Sequence, residues 1–296
     1  MTVRLALCLG ALLAFSGPAR GQVTWRDEPA GRTAVVRLRS APFPHPSRPQ
    51  YRDDRVLVFV PAGHTPGRQV DIVVHYHGHR GETVSSVEER RLREQLAASG
   101  RAAILLAPQG PLRAADSAGG RHEDAEGLAR FLAEALALLA AEGVVPEGAA
   151  PGRVVLSGHS GGYKVIARAL ERGGVDVQEV WLHDGLYGEL DAFERWVAGD
   201  ARRRLVSTHT PRGGTRVNNG QLVERLRRRG LPVVTSDDDA LHRGARAVVV
   251  AAPESHDAVT RRLERFLRTS GLDEVGPAAP PPPPRGRGLV DALPGR

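Results

Sequence analysis

Apolar residues form short strand-like runs that alternate with helix-like stripes over most of the chain. Runs rich in aliphatic residues predict buried strands over 70–75, 102–107, 154–156, 179–182, 205–208 and 247–251. Apolar positions with helical spacing predict helices over 84–99, 123–142, 163–170, 192–197, 221–229 and 257–267. Because strands alternate with helices, we expect a mostly parallel central sheet with helices on both faces.

The region before residue 61 follows a different pattern. Strands are predicted over 33–39 and 55–60, with several prolines between them and no helical stripe. Strands that follow each other without a crossover helix pair antiparallel. We therefore expect these two strands to add to one edge of the sheet as a hairpin.

The pentapeptide Gly158-His159-Ser160-Gly161-Gly162 lies between a predicted strand and a predicted helix. Glycines two positions before and after a serine allow a sharp strand-to-helix turn, because small residues let the two elements approach closely. Such a turn holds the serine hydroxyl out at the edge of the sheet, where a histidine can remove its proton. The pattern predicts Ser160 as a nucleophile; an ordinary glycine turn is the structural alternative.

This order of strand, elbow and helix resembles the α/β-hydrolase superfamily, and the resemblance covers roughly residues 33–268. The resemblance implies the α/β-hydrolase fold and a serine hydrolase of the esterase or lipase kind, which needs no cofactor. It also implies that an acid and then a histidine follow the serine along the chain.

The histidine that fits this order is His256, which lies just after the last predicted strand and before the last predicted helix. An imidazole can accept the serine proton near neutral pH and return it to the leaving group. We therefore predict His256 as the general base. The alternative is a surface histidine that caps the final helix.

The acid is harder to assign from the sequence. The loop after the strand at 205–208 reads His209-Thr210-Pro211-Arg212 and contains no carboxylate. Some members of the superfamily carry the acid after the preceding strand, and Asp184 lies at that point here. We predict that Asp184 orients the histidine and stabilises its protonated form. The reserve candidates lie in a loop before the last strand and are Asp237, Asp238 and Asp239.

An oxyanion hole requires two backbone N–H groups aimed at the oxygen that becomes negative in the reaction. By resemblance, one comes from the residue after the nucleophile, Gly161, and the other from the loop after the third predicted strand. That loop contains Gly78 and His79. We assign the second N–H to one of these two residues.

Two other functional classes stay open. His75, His77 and His79 alternate and would share a face on a strand, which suggests a metal-dependent hydrolase. The spacing resembles part of a metallo-β-lactamase motif, but His79 stands where that motif carries an aspartate, and a metal leaves the elbow unexplained. The other alternative is a non-catalytic hydrolase-fold protein that binds an envelope ligand.

The two ends of the chain differ from its middle. Residues 1–21 combine Arg4, an apolar run and small residues near Ala19 and Gly21, which predicts a cleaved signal peptide and a secreted or periplasmic protein. The hydrolase domain is then expected over 22–272. Residues 273–296 are rich in proline, glycine and arginine, and we expect a disordered tail.

Charge and cysteine content limit the classes of partner and the chemistry that we expect. The formal net charge is +7, but aromatic residues are only 4% of the chain, so the interleaved basic and aromatic pattern of a nucleic-acid surface is missing. The only cysteine, Cys8, lies in the predicted signal, which excludes a disulfide framework and a thiolate nucleophile in the mature chain. We expect a small-molecule or polymer ester as the substrate, no nucleic-acid partner, and no stable membrane span.

Overall fold

The computed structural model describes residues 23–276, which form one ten-stranded sheet in the order β1-β2-β3-β5-β4-β6-β7-β8-β10-β9. The strands are β1 Arg26–Glu28, β2 Gly31–Arg37, β3 Arg55–Pro61, β4 Gln69–Tyr76, β5 Ile104–Pro108, β6 Ala150–His159, β7 Glu179–His183, β8 Arg204–His209, β9 Val233–Val234 and β10 Ala247–Ala251. The helices are α1 Thr83–Glu89, α2 Leu92–Ser99, α3 Gly127–Ala141, α4 Tyr163–Arg172, α5 Leu190–Gly199, α6 Arg216–Arg228, α7 Asp239–His242 and α8 Leu263–Arg268.

The sheet is parallel from β5 through β4, β6, β7, β8 and β10 to β9. The pairs β1–β2, β2–β3 and β3–β5 are antiparallel. This arrangement confirms the mostly parallel sheet with an early hairpin at one edge. Because parallel strands end on the same side, the segments that follow β4, β6, β7, β8 and β10 meet at one edge of the sheet.

Helices cover both faces of the sheet, as predicted. On one face, α3 to α6 bury apolar side chains such as Phe131, Ile166 and Phe193 against the strands. On the other face, α1, α2 and α8 do the same with side chains such as Leu92 and Phe266. Burial of each large aliphatic or aromatic side chain stabilises the fold by roughly 1.5–3 kcal/mol, so both layers fix the strands at the site in place.

Three predicted helices are shorter or more broken than their apolar patterns indicate. The stripe over 257–267 forms a 3₁₀ turn at Val259–Arg262 before α8 begins at Leu263. The stripe over 84–99 forms two helices rather than one, because Arg91 adopts a left-handed backbone (φ +53°) between α1 and α2. The stripe over 123–142 becomes helical only at Gly127, after a 3₁₀ turn at Gly120–Glu123 and a left-handed Glu126 (φ +57°). Periodicity could not show these breaks, since the apolar face continues across each one.

The packed chain extends slightly beyond the predicted domain. Asp273, assigned from the sequence to the tail, donates its backbone N–H to Asp71, and Val275 donates its backbone N–H to the Gly100 carbonyl. The start of the predicted tail is therefore part of the packed structure. The signal at 1–21 and the remainder of the tail from residue 277 lie outside the described residues.

Across residues 23–276, none of the helices combines the length and the apolar character that crossing a membrane requires.

Buried histidines make the stability of this fold dependent on pH. His122 is fully buried, and its Nδ1 is 2.9 Å from the Tyr76 hydroxyl. Burial, only partly opposed by a backbone hydrogen bond involving Ser40, lowers the pKa of His122 from 6.5 to about 3. The folded protein therefore holds this imidazole neutral at a pH where the unfolded chain protonates it.

We predict that His122→Phe makes the free energy of unfolding less dependent on pH. Below pH 6.5 the unfolded chain gains a proton at His122 that the folded protein does not, so stability falls as pH decreases towards 3. Within that window the contribution approaches about 1.4 kcal/mol per pH unit. Urea unfolding at pH 4.5, 5.5 and 7.5 measures it. Parallel curves for the variant and the wild type would contradict the assignment.

Candidate active site

Ser160 lies where β6 ends and a 3₁₀ turn leads into α4. Its backbone is in the left-handed region (φ +51°), which is uncommon for a residue other than glycine and is typical of strained functional turns. A side chain at Gly158 would place its Cβ 2.7 Å from the Cδ1 of Ile166 on α4. The same Cβ would lie 3.2 Å from the Gly162 backbone carbon, so a side chain at position 158 would crowd the turn between the strand and the helix.

Asp184 and His256 meet at the same edge of the sheet. Asp184 follows β7 directly, and His256 lies in the segment after β10. The His256 Nδ1 is 2.8 Å from the Asp184 Oδ2, although the two residues are 72 positions apart in the sequence. Asp184 is fully buried, whereas 30% of the His256 side chain is exposed. This pairing leaves the opposite ring nitrogen of His256, Nε2, free to receive a proton.

The carboxylate of Asp184 is held ionised by donors from the loop after β8. Burial alone would raise its pKa, but hydrogen bonds from His256, Thr210 and Thr215 outweigh that effect and lower the pKa to about 2. The Thr210 hydroxyl donates to Oδ2 at 2.5 Å, the Thr210 backbone N–H donates to Oδ1 at 3.3 Å, and the Thr215 hydroxyl also donates to Oδ1. Asp184 is therefore negative throughout the pH range in which a histidine titrates.

His159 connects the His256 segment to the serine turn. Its Nε2–H donates to the His256 backbone carbonyl at 2.8 Å, and the two rings lie 4.7 Å apart between centroids. His159 is the residue directly before Ser160, so this bond fixes His256 beside the serine. Burial lowers the pKa of His159 to about 3, which keeps its ring neutral.

Tyr187 forms one wall of the site. Its ring lies 6.2 Å from that of His256 in an edge-on arrangement, and its hydroxyl donates to the Gly213 carbonyl. Within residues 23–276 no hydrogen bond joins Ser160 to His256 directly. Catalytic hydrogen bonds often shorten only when substrate binds, so this geometry is compatible with proton transfer.

The three reserve aspartates have other partners. Asp237 pairs with Arg262 and Arg265, and Asp239 pairs with Arg265. Asp238 caps α7 by accepting the Ala240 backbone N–H. In the described structure, His256 is paired with Asp184 and not with this loop.

The two candidate sources of the oxyanion N–H groups lie on either side of the serine. A Cβ on Gly78 would be 2.8 Å from the Ser160 Cβ, so the loop after β4 contacts the serine turn through its backbone. A Cβ on Gly161 would be 2.6 Å from the His79 ring. Among the described residues, the backbone N–H groups of Gly78 and His79 donate no hydrogen bond. The N–H of Gly78 and that of His79 are therefore both candidates for the second oxyanion donor.

The three alternating histidines do not share a face, because β4 ends at Tyr76 and only His75 lies on the strand. The His75 Nδ1 bonds to the Ser157 hydroxyl, the His77 Nδ1 bonds to the Gly78 carbonyl, and the His79 Nε2 bonds to the Ser117 hydroxyl. Over residues 23–276, no group of three or more His, Cys, Asp or Glu side chains is arranged to hold a metal ion.

Thr210 and Thr215 are the site residues that the sequence did not reveal. The loop after β8 has no carboxylate between His209 and Arg212, and it contributes hydroxyl donors to the site instead. Thr210 lies immediately after a predicted strand, at the edge where site residues gather, and this position is the signal that could have identified it.

Comparison with known structures identifies the fold. An S-formylglutathione hydrolase from Agrobacterium tumefaciens matches with a TM-score of 0.50 and 15% identity, covering 83% of this chain and 97% of that chain. The feruloyl esterase module from Clostridium thermocellum, complexed with sinapinate, matches with a TM-score of 0.51 and 14% identity, covering 83% of this chain and 95% of that chain. No protein-family model and no curated protein matches in sequence. The chain has the α/β-hydrolase fold.

Proposed function

We propose that this protein is an exported serine hydrolase that cleaves an ester bond through an acyl-enzyme on Ser160. The observation that carries the proposal is the bond of 2.8 Å between His256 and the buried Asp184, at the sheet edge where a strained Ser160 ends β6. A nucleophile, a base and a group that orients the base are the parts that acyl transfer requires.

The chemistry follows from these three groups. As the Ser160 oxygen attacks the ester carbonyl carbon, its proton passes to the His256 Nε2, and the carbonyl oxygen becomes an oxyanion. Collapse of this intermediate breaks the bond to the leaving alcohol, which takes the proton from His256. Water then attacks the acyl-enzyme by the same route, and the carboxylic acid and free Ser160 result.

The environment of Asp184 suits its proposed role. Because its pKa is held at about 2, Asp184 is a permanent anion that stabilises the protonated imidazole and fixes the neutral ring with its hydrogen on Nδ1. The backbone N–H of Gly161, together with that of Gly78 or His79, would stabilise the oxyanion. These steps use side-chain and backbone groups alone and need no cofactor.

An ester is the preferred substrate class, and an amide is the less favoured alternative. The two structural neighbours described above are named as a hydrolase of S-formylglutathione and as a feruloyl esterase, and both names denote acyl compounds. An alcohol leaves a tetrahedral intermediate more readily than an amine, so an ester makes the smaller demand on His256 as an acid. An ester in a small molecule and an ester in a polymer present the same carbonyl carbon to Ser160, so the proposed activity covers both.

We predict that Asp184→Asn lowers kcat for p-nitrophenyl acetate by about 10³–10⁴-fold, since an amide at this position no longer holds His256 in the reactive tautomer. Asp238→Asn makes the same chemical change in the rejected loop while keeping an N-cap oxygen, and should leave kcat within about twofold. Steady-state kinetics of both variants and of His256→Ala measure this. A large loss in Asp238→Asn, or full activity in Asp184→Asn, would contradict the assignment of the acid.

Export rests on the signal-like residues 1–21. We expect the full chain, expressed in a bacterium, to appear in the periplasm or medium with a new N-terminus at Arg20 or Gln22. N-terminal sequencing of that fraction tests this prediction. Intact Met1 on protein retained in the cytoplasm would contradict it.

A further inference from the structure

His77 is a half-buried residue directly after β4, and both of its ring nitrogens have backbone or side-chain partners. The ring stands outside the Ser160, His256 and Asp184 group. Its contacts nevertheless lead to the peptide that joins Gly78 to His79, which lies beside Ser160.

The tautomer of His77 follows from the groups that face its Nε2. The Gly110 backbone N–H points at Nε2 from 3.0 Å, and the Gln109 Nε2 lies 2.8 Å away. The Gln109 amide is itself oriented, because its Oε1 accepts the Thr83 backbone N–H at 2.8 Å and its NH₂ group must then face His77. Two donors therefore meet the His77 Nε2, which must accept, so the ring hydrogen is on Nδ1.

The hydrogen on Nδ1 fixes the next peptide group. The His77 Nδ1–H donates to the Gly78 carbonyl at 2.7 Å, and the Gly81 backbone N–H donates to the same oxygen at 3.2 Å. In a trans peptide the carbonyl and the following N–H point in opposite directions. Because the Gly78 carbonyl is anchored to His77 and Gly81, the His79 N–H points away from these two residues.

We propose that His77 is a positioning residue that orients the His79 backbone N–H as the second donor of the oxyanion hole. The inference rests on the proposed function and settles the choice between Gly78 and His79 in favour of the His79 N–H. Two further observations support it: this N–H donates to no group in residues 23–276, and the backbone at Gly78 is in contact range of Ser160. Without the Nδ1–H bond the 78–79 peptide can rotate, and the oxyanion loses a preorganised donor.

Two substitutions at His77 separate positioning from packing. Asparagine places an N–H donor near the position of Nδ1, whereas leucine fills similar space without a donor; both lose the contacts to Gln109 and Gly110. We expect His77→Leu to lower kcat for p-nitrophenyl acetate by roughly 10–10²-fold, with KM changed less than about threefold, because an oxyanion donor acts mainly in the transition state. We expect His77→Asn to recover at least about fivefold of that loss.

The matched control is His64→Leu. The His64 Nδ1 also bonds a backbone carbonyl, that of Ala102, at 2.9 Å, but it lies away from the serine turn. Its kcat should stay within about twofold of wild type. Thermal unfolding of all three variants separates loss of fold from loss of rate. If His77→Leu does not fold, ¹⁵N NMR of the wild-type imidazoles still tests the proposal, because it requires a protonated Nδ1 and an unprotonated Nε2 on His77.

The outcomes distinguish this inference from the proposed function. Ester hydrolysis by the wild type, a kcat loss in His77→Leu and recovery in His77→Asn support both. Hydrolysis with equal loss in the two variants, unchanged kcat in His77→Leu, or an unprotonated Nδ1 overturns the positioning role alone. A folded wild type that neither hydrolyses esters nor forms an adduct at Ser160 overturns the proposed function, and the inference with it.

Discussion

A fully buried carboxylate that stays ionised is the constraint on which the site depends. Burial opposes the charge of Asp184, so the charge persists only because hydrogen-bond donors converge on both carboxylate oxygens. The donors come from the loop after β8, through Thr210 and Thr215, and from the segment after β10, through His256. The segments after β7, β8 and β10 must therefore be in register before Asp184 and His256 can pair, and the parallel sheet supplies that register.

The same principle of oriented polar groups extends to the other side of the serine. His159 donates to the carbonyl of His256, and His77 donates to the carbonyl of Gly78. Both imidazoles have a pKa lowered mainly by burial, so each stays neutral and directional rather than charged. Neutral histidines bonded to backbone carbonyls can fix loop geometry without introducing a buried positive charge that would compete with His256 for Asp184.

The sequence was sufficient for the features that are local. Strands such as β10 appeared as aliphatic runs, and the serine turn appeared as a glycine-flanked pentapeptide between two periodic segments. The contacts that the sequence did not predict join distant positions. Thr215 donates to Asp184 across 31 positions, and no local pattern records that bond. The alternation of His75, His77 and His79 was misleading for a related reason, since a shared face requires the strand to continue past Tyr76, where it ends.

If Ser160 is the nucleophile, it becomes covalently modified during the reaction. Reacting the folded protein with a fluorophosphonate and locating the adduct by peptide mass spectrometry tests this directly. We expect one phosphonyl group per chain, on Ser160, formed slowly or not at all when His256 is replaced by alanine. An adduct on another residue, or none on protein shown to be folded, would contradict the claim.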